Sequence, residues 1–237
     1  MADATQKARY LASMAPHSGD WLLALLITSC GLRFDDEAVR VAVGARLGLS
    51  LCVAHKCNCG VEVDAEARHA MVCKKAPGRM ARHQALNDVV CRAFISAGIP
   101  ASKEPAGLCT RDGKRPDGLS LIPWQNGKPL AWDVTVGATL AESYVEAAAR
   151  ESGAVAEQAA QRKVEKYRDA FPNYCFQPIA VENLGAMNSS ALISSTPLDD
   201  AFLLSRERTK NLPSFFNASL SPFNASTVFS VVRVFSP

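Results

Sequence analysis

The chain has 237 residues, of which 48% are hydrophobic and 21% are charged, and its formal net charge is +3. This composition can form a folded core of one or two domains, so it excludes a wholly disordered chain. The first ten positions are mostly polar, and the apolar run from Trp21 to Ile27 is far shorter than the roughly 20 residues that span a bilayer. We therefore expect a nuclear or cytoplasmic protein that is neither secreted nor inserted in a membrane.

Residues 1–56 are predicted to form a helical lead-in. The acidic run from Asp35 to Glu37 favours a helix start, since carboxylates are stabilised at the positive end of the helix dipole. The helix that follows ends near Gly48. It carries no recognisable chemistry, so we interpret the lead-in as packing surface or as a linker from a larger protein.

Residues 57–78 contain a Cys/His motif with the spacing C-x-C-x₉-H-x₃-C. Four such ligands close together in sequence can form a tetrahedral zinc site, and Zn²⁺ would stabilise a segment with few apolar residues. Cys52 and His55 are alternative ligands, and a loop with free thiols is the alternative interpretation. The predicted zinc ligands are Cys57, Cys59, His69 and Cys73.

Basic residues are concentrated after this motif. Between Lys74 and Arg115 there are nine basic and three acidic residues, a net charge of +6. Polyanion binding and a solvated basic surface are both consistent with such a block. Phosphate contacts from these residues would be salt-sensitive and would carry little sequence information. The candidate nucleic-acid contacts are Lys74, Lys75, Arg79, Arg82, His83, Lys114 and Arg115.

Residues 79–185 are predicted to form an α/β core. Apolar residues at helical spacing predict a helix over 79–98, which Gly98 and Pro100 end. Asn126-Gly127 is a hairpin signal between two strands. Three extended segments are predicted at 102–108, 117–124 and 129–136.

The segment 139–171 is rich in Ala, Glu, Lys and Arg, which predicts a helix that Gly153 divides into two pieces. A last strand is predicted at 174–182. Because a helix between two strands usually forms a crossover, this strand should lie parallel to an earlier one. The predicted fold class is therefore α/β, with helix, three strands, helix and strand forming a mixed sheet flanked by helices.

Two aspartates lie in the predicted hairpin. Asp117 follows Pro116 at the start of one strand, and Asp133 lies inside the next strand beside Trp132. The hairpin can bring the two side chains together at one end of the sheet. A carboxylate within an apolar strand is costly unless it is paired or bound to a metal. The pair therefore indicates a site for Mg²⁺ or Mn²⁺, which would orient and activate water and offset charge on a phosphate.

The predicted second helix supplies lysines in the segment QRKVEKY. Lys163, Lys166 and Tyr167 share one helix face because they are spaced i, i+3 and i+4. Lys163 is the candidate catalytic lysine, Lys166 is its alternative, and Tyr167 is a possible additional group. Glu104, in the preceding extended segment, could add a third carboxylate.

The segments KRPDG, WDVTV and RKVEKY resemble the restriction-like, PD-(D/E)xK endonuclease domain of site-specific non-LTR retrotransposons. The resemblance covers about Cys57 to Glu182. Those domains lie in the C-terminal region of a reverse transcriptase protein, after a Cys-Cys-His-Cys motif. They cut target DNA so that the new 3′ end primes reverse transcription.

The resemblance implies a restriction-endonuclease-like fold, with Asp117 and Asp133 as Mg²⁺ ligands and Lys163 as the catalytic lysine. It also implies that the partners are a target DNA duplex and the RNA of the element. The commonest pattern has lysine two residues after the second acid, where this chain has Thr135. The lysine would therefore come from the helix, as in the retroelement branch, although the segment between Asp133 and Lys163 is long for that branch.

Residues 186–237 differ in character from the core. After about Ala191 the sequence is rich in Ser, Phe and Asn without a clear period. We hypothesise a frameshift, because the same codons, when read in a frame shifted by one base, can encode an amphipathic helix. A transcript that is in frame with sibling copies would contradict this hypothesis. No polymerase motif is recognisable; if the parent was a retroelement protein, this chain is its C-terminal fragment, or a decayed or repurposed copy.

Three functions are consistent with the sequence: a Mg²⁺-dependent DNA endonuclease, an inert nucleic-acid-binding module with the same fold, and an unrelated α/β interaction protein. In the third, Asp117 is a turn residue after proline and Asp133 forms a salt bridge with Lys163. The order of PD, hairpin, buried Asp, Lys-bearing helix and strand favours the first. The sequence predicts no particular oligomeric state.

Overall fold

The computed structural model describes residues 3–23, 35–75, 78–110 and 113–191. The hypothesised frameshift after Ala191 lies outside these residues. A single 3₁₀ turn, Asp20–Leu23, follows the first helix. The helices and strands are, in chain order, α1 Ala4–Ser13, α2 Asp36–Leu47, β1 His55–Lys56, β2 Glu62–Val63, α3 Arg68–Val72, α4 Gly78–Ser96, β3 Ala101–Lys103, β4 Gly118–Gln125, β5 Lys128–Gly137, α5 Val145–Ala148, α6 Ala154–Tyr167 and β6 Cys175–Glu182.

The main sheet has four strands in the order β3-β4-β5-β6. The first three strands are antiparallel, and β6 runs parallel to β5. Asn126 and Gly127 form the two-residue turn between β4 and β5, with φ angles of 51° and 74°. Positive φ at both central residues is the conformation that an Asn-Gly hairpin favours. The predicted mixed sheet, with its last strand parallel to an earlier one, is confirmed.

Helices cover both faces of this sheet, and the alternation of side chains along β5 decides which residue meets which helix. Trp132 and Val134 are buried against α4, where Leu86 and Phe94 are fully or almost fully buried. The Phe94 ring stacks on Trp132 with centroids 4.8 Å apart. The opposite face packs against α6, whose alanines form a small cluster with Ala180 of β6. Asp133 therefore faces α6.

The lead-in packs onto the core. Asp35 caps α2 by accepting a hydrogen bond from the Ala38 amide at 2.7 Å, and Gly48 ends the helix with a φ of 71°. Ala8 and Ala12 of α1 are buried in one cluster with Ala148 and neighbouring residues. The described parts of α1 and α2 therefore pack against later segments of the chain.

Two local features bear on the predicted elements. The extended segment predicted at 102–108 is shorter than expected, because Glu104 adopts a φ of 44° directly after β3. Gly153 does divide the second helical region, since it begins α6 with a φ of 80°. Within the described ranges, no helix has the length and apolar character needed to cross a membrane.

Candidate functional site

Asp117 lies immediately before β4, where its carboxylate continues the hydrogen bonding to β5. Its backbone amide donates to the Trp132 carbonyl at 2.9 Å, and its Oδ2 accepts from the Val134 amide at 2.7 Å. Asn87 of α4 donates to the Asp117 carbonyl at 2.9 Å and accepts from Trp132 Nε1 at 2.9 Å. These bonds hold the Asp117 backbone beside β5 and α4, and the bond from the Val134 amide orients its carboxylate.

Asp133 is buried in the middle of β5, with 2% of its surface exposed. Lys163 donates to Oδ1 of Asp133, and the Tyr167 hydroxyl donates to Oδ2. The same hydroxyl lies 2.7 Å from the Arg115 carbonyl oxygen and 2.9 Å from Lys166 Nζ. Lys163 therefore contacts the acid directly, whereas Lys166 is linked to it through Tyr167.

His83 joins Asp117 from the first turns of α4. Its Nε2 lies 3.1 Å from Asp117 Oδ2. From the sequence, His83 was assigned only to nucleic-acid contact, and Asn87 was not assigned to the site. His83 and Asn87 are four residues apart and therefore lie on one face of α4. This spacing is the sequence signal that could have indicated that the helix contacts a polar site.

The two acids are electrostatically linked. Burial raises the pKa of Asp133, and the charge of Asp117 raises it further, although Lys163 and Tyr167 oppose the change. Burial also acts to raise the pKa of Asp117, but His83, the Val134 amide and Lys163 together leave that pKa below its ordinary value. The bond to Asp117 in turn raises the pKa of His83. An additional cation at this site would relieve the repulsion between the acids.

Two neighbouring carboxylates suit Mg²⁺, which takes one or two carboxylates and keeps several waters. Glu104 does not contribute, since its exposed carboxylate pairs with Arg115 at 2.5 Å. Lys163 and Tyr167 hold both oxygens of Asp133. A divalent cation would therefore bind Asp133 only after Lys163 had released Oδ1.

The predicted Cys/His ligands converge at a second location. The strands β1 and β2 flank Cys57 and Cys59, and α3 carries His69 and leads into Cys73. Their ligand atoms all lie within 4.8 Å of one another, and they are the one convergent group of three or more His, Cys, Asp or Glu side chains among the described residues.

The spacing within this cluster fits a tetrahedral metal such as zinc. The sulfurs of Cys57 and Cys73 lie 3.8 Å apart. Two thiolates about 2.3 Å from one tetrahedral zinc would be separated by about 3.8 Å. Cys59 Sγ lies 3.0 Å from His69 Nε2, and a hydrogen bond from the Val61 amide helps lower the pKa of the Cys59 thiol to about 7. The cluster could therefore hold a zinc-like ion through three cysteine thiolates and the His69 imidazole.

The two alternative ligands point elsewhere. Cys52 contacts the Asp64 carbonyl at 3.4 Å, and His55 Nδ1 lies 2.9 Å from the Val53 carbonyl oxygen. The four-residue set predicted from the spacing is the one that converges.

A cleft of about 500 Å³ is lined by Cys73 of the Cys/His cluster and by His83, the neighbour of Asp117, but not by Asp117, Asp133 or Lys163. It lies where β5 and β6 end, between α4 and α6, and Cys73 forms part of its wall. Of the seven predicted nucleic-acid contacts, four line it, and Lys75, Lys114 and Arg115 lie elsewhere. Arg162 is a further cationic side chain on the wall, and the sequence pattern did not single it out. The basic and histidine lining is Lys74, Arg79, Arg82, His83 and Arg162.

Comparison with models of known protein families found no match, and a search of curated proteins found no significantly similar sequence.

Proposed function

We propose that this protein is a divalent-metal-dependent DNA endonuclease of the restriction-like type, related to the endonuclease domain of non-LTR retrotransposons. The observation that carries the proposal is that Asp117, just before β4, lies near Asp133 of β5 and Lys163 of α6. A basic cleft beside them supports a phosphate-bearing substrate.

Each side chain has a role that follows from its contacts. Mg²⁺, when bound, would supply charge neutralisation and an activated water for hydrolysis of the phosphodiester. Asp117 is held ready by the Val134 amide and would offer its carboxylate to the metal. Asp133 would hold the metal through Oδ1 in place of Lys163, and Tyr167 keeps Oδ2 in place. Lys163, released from Asp133, would donate to the attacking water or to a phosphate oxygen.

The zinc motif and the basic residues complete the proposal. Zn²⁺ on the cluster of Cys57, Cys59, His69 and Cys73 would fix the loop that leads to Lys74. Contacts from the basic side chains would position target DNA, or RNA of a parent element, by its backbone. Nicking of the target strand would then prime reverse transcription.

A second candidate is an inert nucleic-acid-binding module. The hydrogen bonds that both oxygens of Asp133 accept favour this second candidate. A permanent salt bridge to Lys163 would leave no oxygen of Asp133 for a metal. Zinc and the basic cleft would still bind nucleic acid in that case.

Cleavage of supercoiled plasmid by zinc-loaded protein, with and without added Mg²⁺, tests the proposal. The informative variant is Asp117→Asn with Asp133→Asn, which removes two negative charges with little change in volume. A matched control is Glu142→Gln with Glu165→Gln, two exposed acids outside the site.

We expect Mg²⁺-dependent nicking by the natural sequence and the control but not by the Asp variant. Absence of nicking with retained DNA binding would favour the inert module. Equal nicking by the Asp variant would refute the assigned acids.

A further inference from the structure

The cleft is a location separate from the two acids, because neither Asp117 nor Asp133 lines it. Residues at the carboxyl end of β5, from Thr135 to Ala138, line one side, and Asn183 follows β6. In open α/β sheets, ligands bind in the crevice beyond the carboxyl ends of parallel strands. The parallel pair β5 and β6 places the cleft at this position.

The charge of the lining indicates an anion. The residues that line the cleft, all within the described ranges, include four Lys or Arg and one His but no Asp or Glu. Arg82 is only 6% exposed, and burial together with the charge of Arg79 lowers its pKa. A negatively charged group in the cleft would offset the cost of gathering these cations.

An aromatic group adjoins one of the cations of the cleft. Tyr144 lines the cleft, and the Arg162 guanidinium lies 5.4 Å from the centre of its ring. Tyrosine and arginine side chains are surfaces on which nucleic-acid bases stack, independently of sequence. Cationic and aromatic groups together are typical of sites that bind single strands.

The volume of the cleft suits a single nucleotide. A volume of about 500 Å³ lies within the range of roughly 300–1,000 Å³ for sites that enclose one small ligand. We propose that the cleft binds one unpaired nucleotide of a nucleic-acid strand, with its phosphate on Arg79 and Arg82 and its base beside Tyr144 and Arg162. The inference rests on the proposed function only in taking a nucleic acid as the ligand.

Binding measured without Mg²⁺ separates this inference from catalysis. Fluorescence anisotropy of zinc-loaded protein would be recorded with a labelled DNA single strand, the equivalent RNA strand and the DNA duplex. The test variant is Arg79→Gln with Arg162→Gln, both exposed side chains on the cleft wall. The matched control is Arg92→Gln with Arg168→Gln, which removes equal charge from α4 and the end of α6 outside the cleft.

We expect single-strand binding about tenfold weaker in the test variant and unchanged in the control, with a smaller effect on the duplex. The salt dependence of binding should fall by about 0.7 in log–log slope for each phosphate group that the variant no longer neutralises. Tyr144→Ala should weaken single-strand binding without changing that slope, and Tyr144→Phe should retain it. A preference for DNA or RNA would identify the strand and support the site.

Equal binding by the test and control variants would overturn the inference. So would an equal decrease for duplex and single strand, since that would indicate general attraction to phosphate. If binding follows these expectations while Mg²⁺-dependent nicking is absent, the nucleotide site stands and the nuclease proposal fails.

Discussion

Lys163 of α6 donates to the carboxylate of Asp133 of β5 across 30 positions of the chain. The contact lies on the face of the sheet opposite the Trp132 core, and it brings an ammonium group to a carboxylate that is almost fully buried. Lys166, only three residues further, reaches the same acid through the Tyr167 hydroxyl. The helix thus presents two lysines with unequal access to the candidate site.

This difference predicts unequal effects of removing the two ammonium groups. Lys163→Gln should reduce Mg²⁺-dependent plasmid nicking by about 100-fold or more, because the variant lacks the positive charge that is proposed to act on the attacking water or the phosphate. Lys166→Gln, the matched variant on the same helix face, should retain most of the rate. Initial nicking rates provide the measurement, and the opposite ranking would show that Lys166 enters the site.

Tyr167 should contribute to stability through its hydroxyl group. Tyr167→Phe leaves the ring stacked near Phe171 and Phe176 but removes the donor to Asp133. We expect a decrease of about 1–3 kcal/mol in the free energy of unfolding, since a buried polar group is left without its partner. Urea denaturation measures this change.

Tyr10→Phe is the control, because Tyr10 is 63% exposed and its substitution should change stability by less than about 0.5 kcal/mol. Equal stabilities of the two variants would argue that the hydroxyl of Tyr167 is dispensable.

Gly118 should be intolerant of a side chain. A Cβ at this position would lie 2.0 Å from a ring carbon of Trp132, and that ring is fully buried. Gly118→Ala should therefore destabilise the fold by about 1–3 kcal/mol or more through overpacking, and should displace the adjacent Asp117. Thermal unfolding would be compared with Gly19→Ala, where the added Cβ meets no atom within 4 Å. A neutral Gly118→Ala would contradict the close approach.

Zinc content should follow the four clustered ligands. Cys73→Ser should bind less zinc and unfold at a lower temperature, because a tetrahedral site then lacks one thiolate. Cys109→Ser, an exposed cysteine outside the cluster, should behave as the natural sequence does. Metal analysis after gel filtration and melting with and without chelator would measure both effects. Full zinc retention by Cys73→Ser would exclude that residue as a ligand.

Glu182 should give the protein a pH-dependent stability. Burial raises the pKa of Glu182 above its ordinary value, although Thr139 and the amides of Val155 and Ala156 donate to its carboxylate. A raised pKa means that the folded state binds the proton more tightly than the unfolded state. Its contribution to stability is therefore present below the ordinary carboxyl value and is lost as the pH rises through the raised pKa.

Denaturation at a series of pH values from acidic to neutral would compare the natural sequence with Glu182→Gln, which does not titrate. The difference in unfolding free energy between the two proteins should shift in favour of Glu182→Gln as the pH rises through this window. A difference that stays constant with pH would contradict the raised pKa.

The sequence by itself determined the elements whose signals are local. Helix α2 begins after Asp35 and ends at Gly48, Asn126-Gly127 forms the hairpin turn, and Gly153 divides the second helical region. Each of these features depends on the backbone preferences of a few neighbouring residues. The early end of β3 could not be predicted from the sequence. The residue with positive φ there is Glu104, and only a glycine would have indicated that conformation. The zinc-like cluster was also predictable, because its four ligands lie within one short segment.

Only the tertiary structure decided how the candidate site is assembled. Packing of α4 on the sheet brings His83 and Asn87 to Asp117, and packing of α6 on the other face selects Lys163 over Lys166 as the direct partner of Asp133. These contacts join residues far apart in the chain, and their geometry depends on strand register and helix position. Local patterns carry no information about either, because both are set by how the whole core packs.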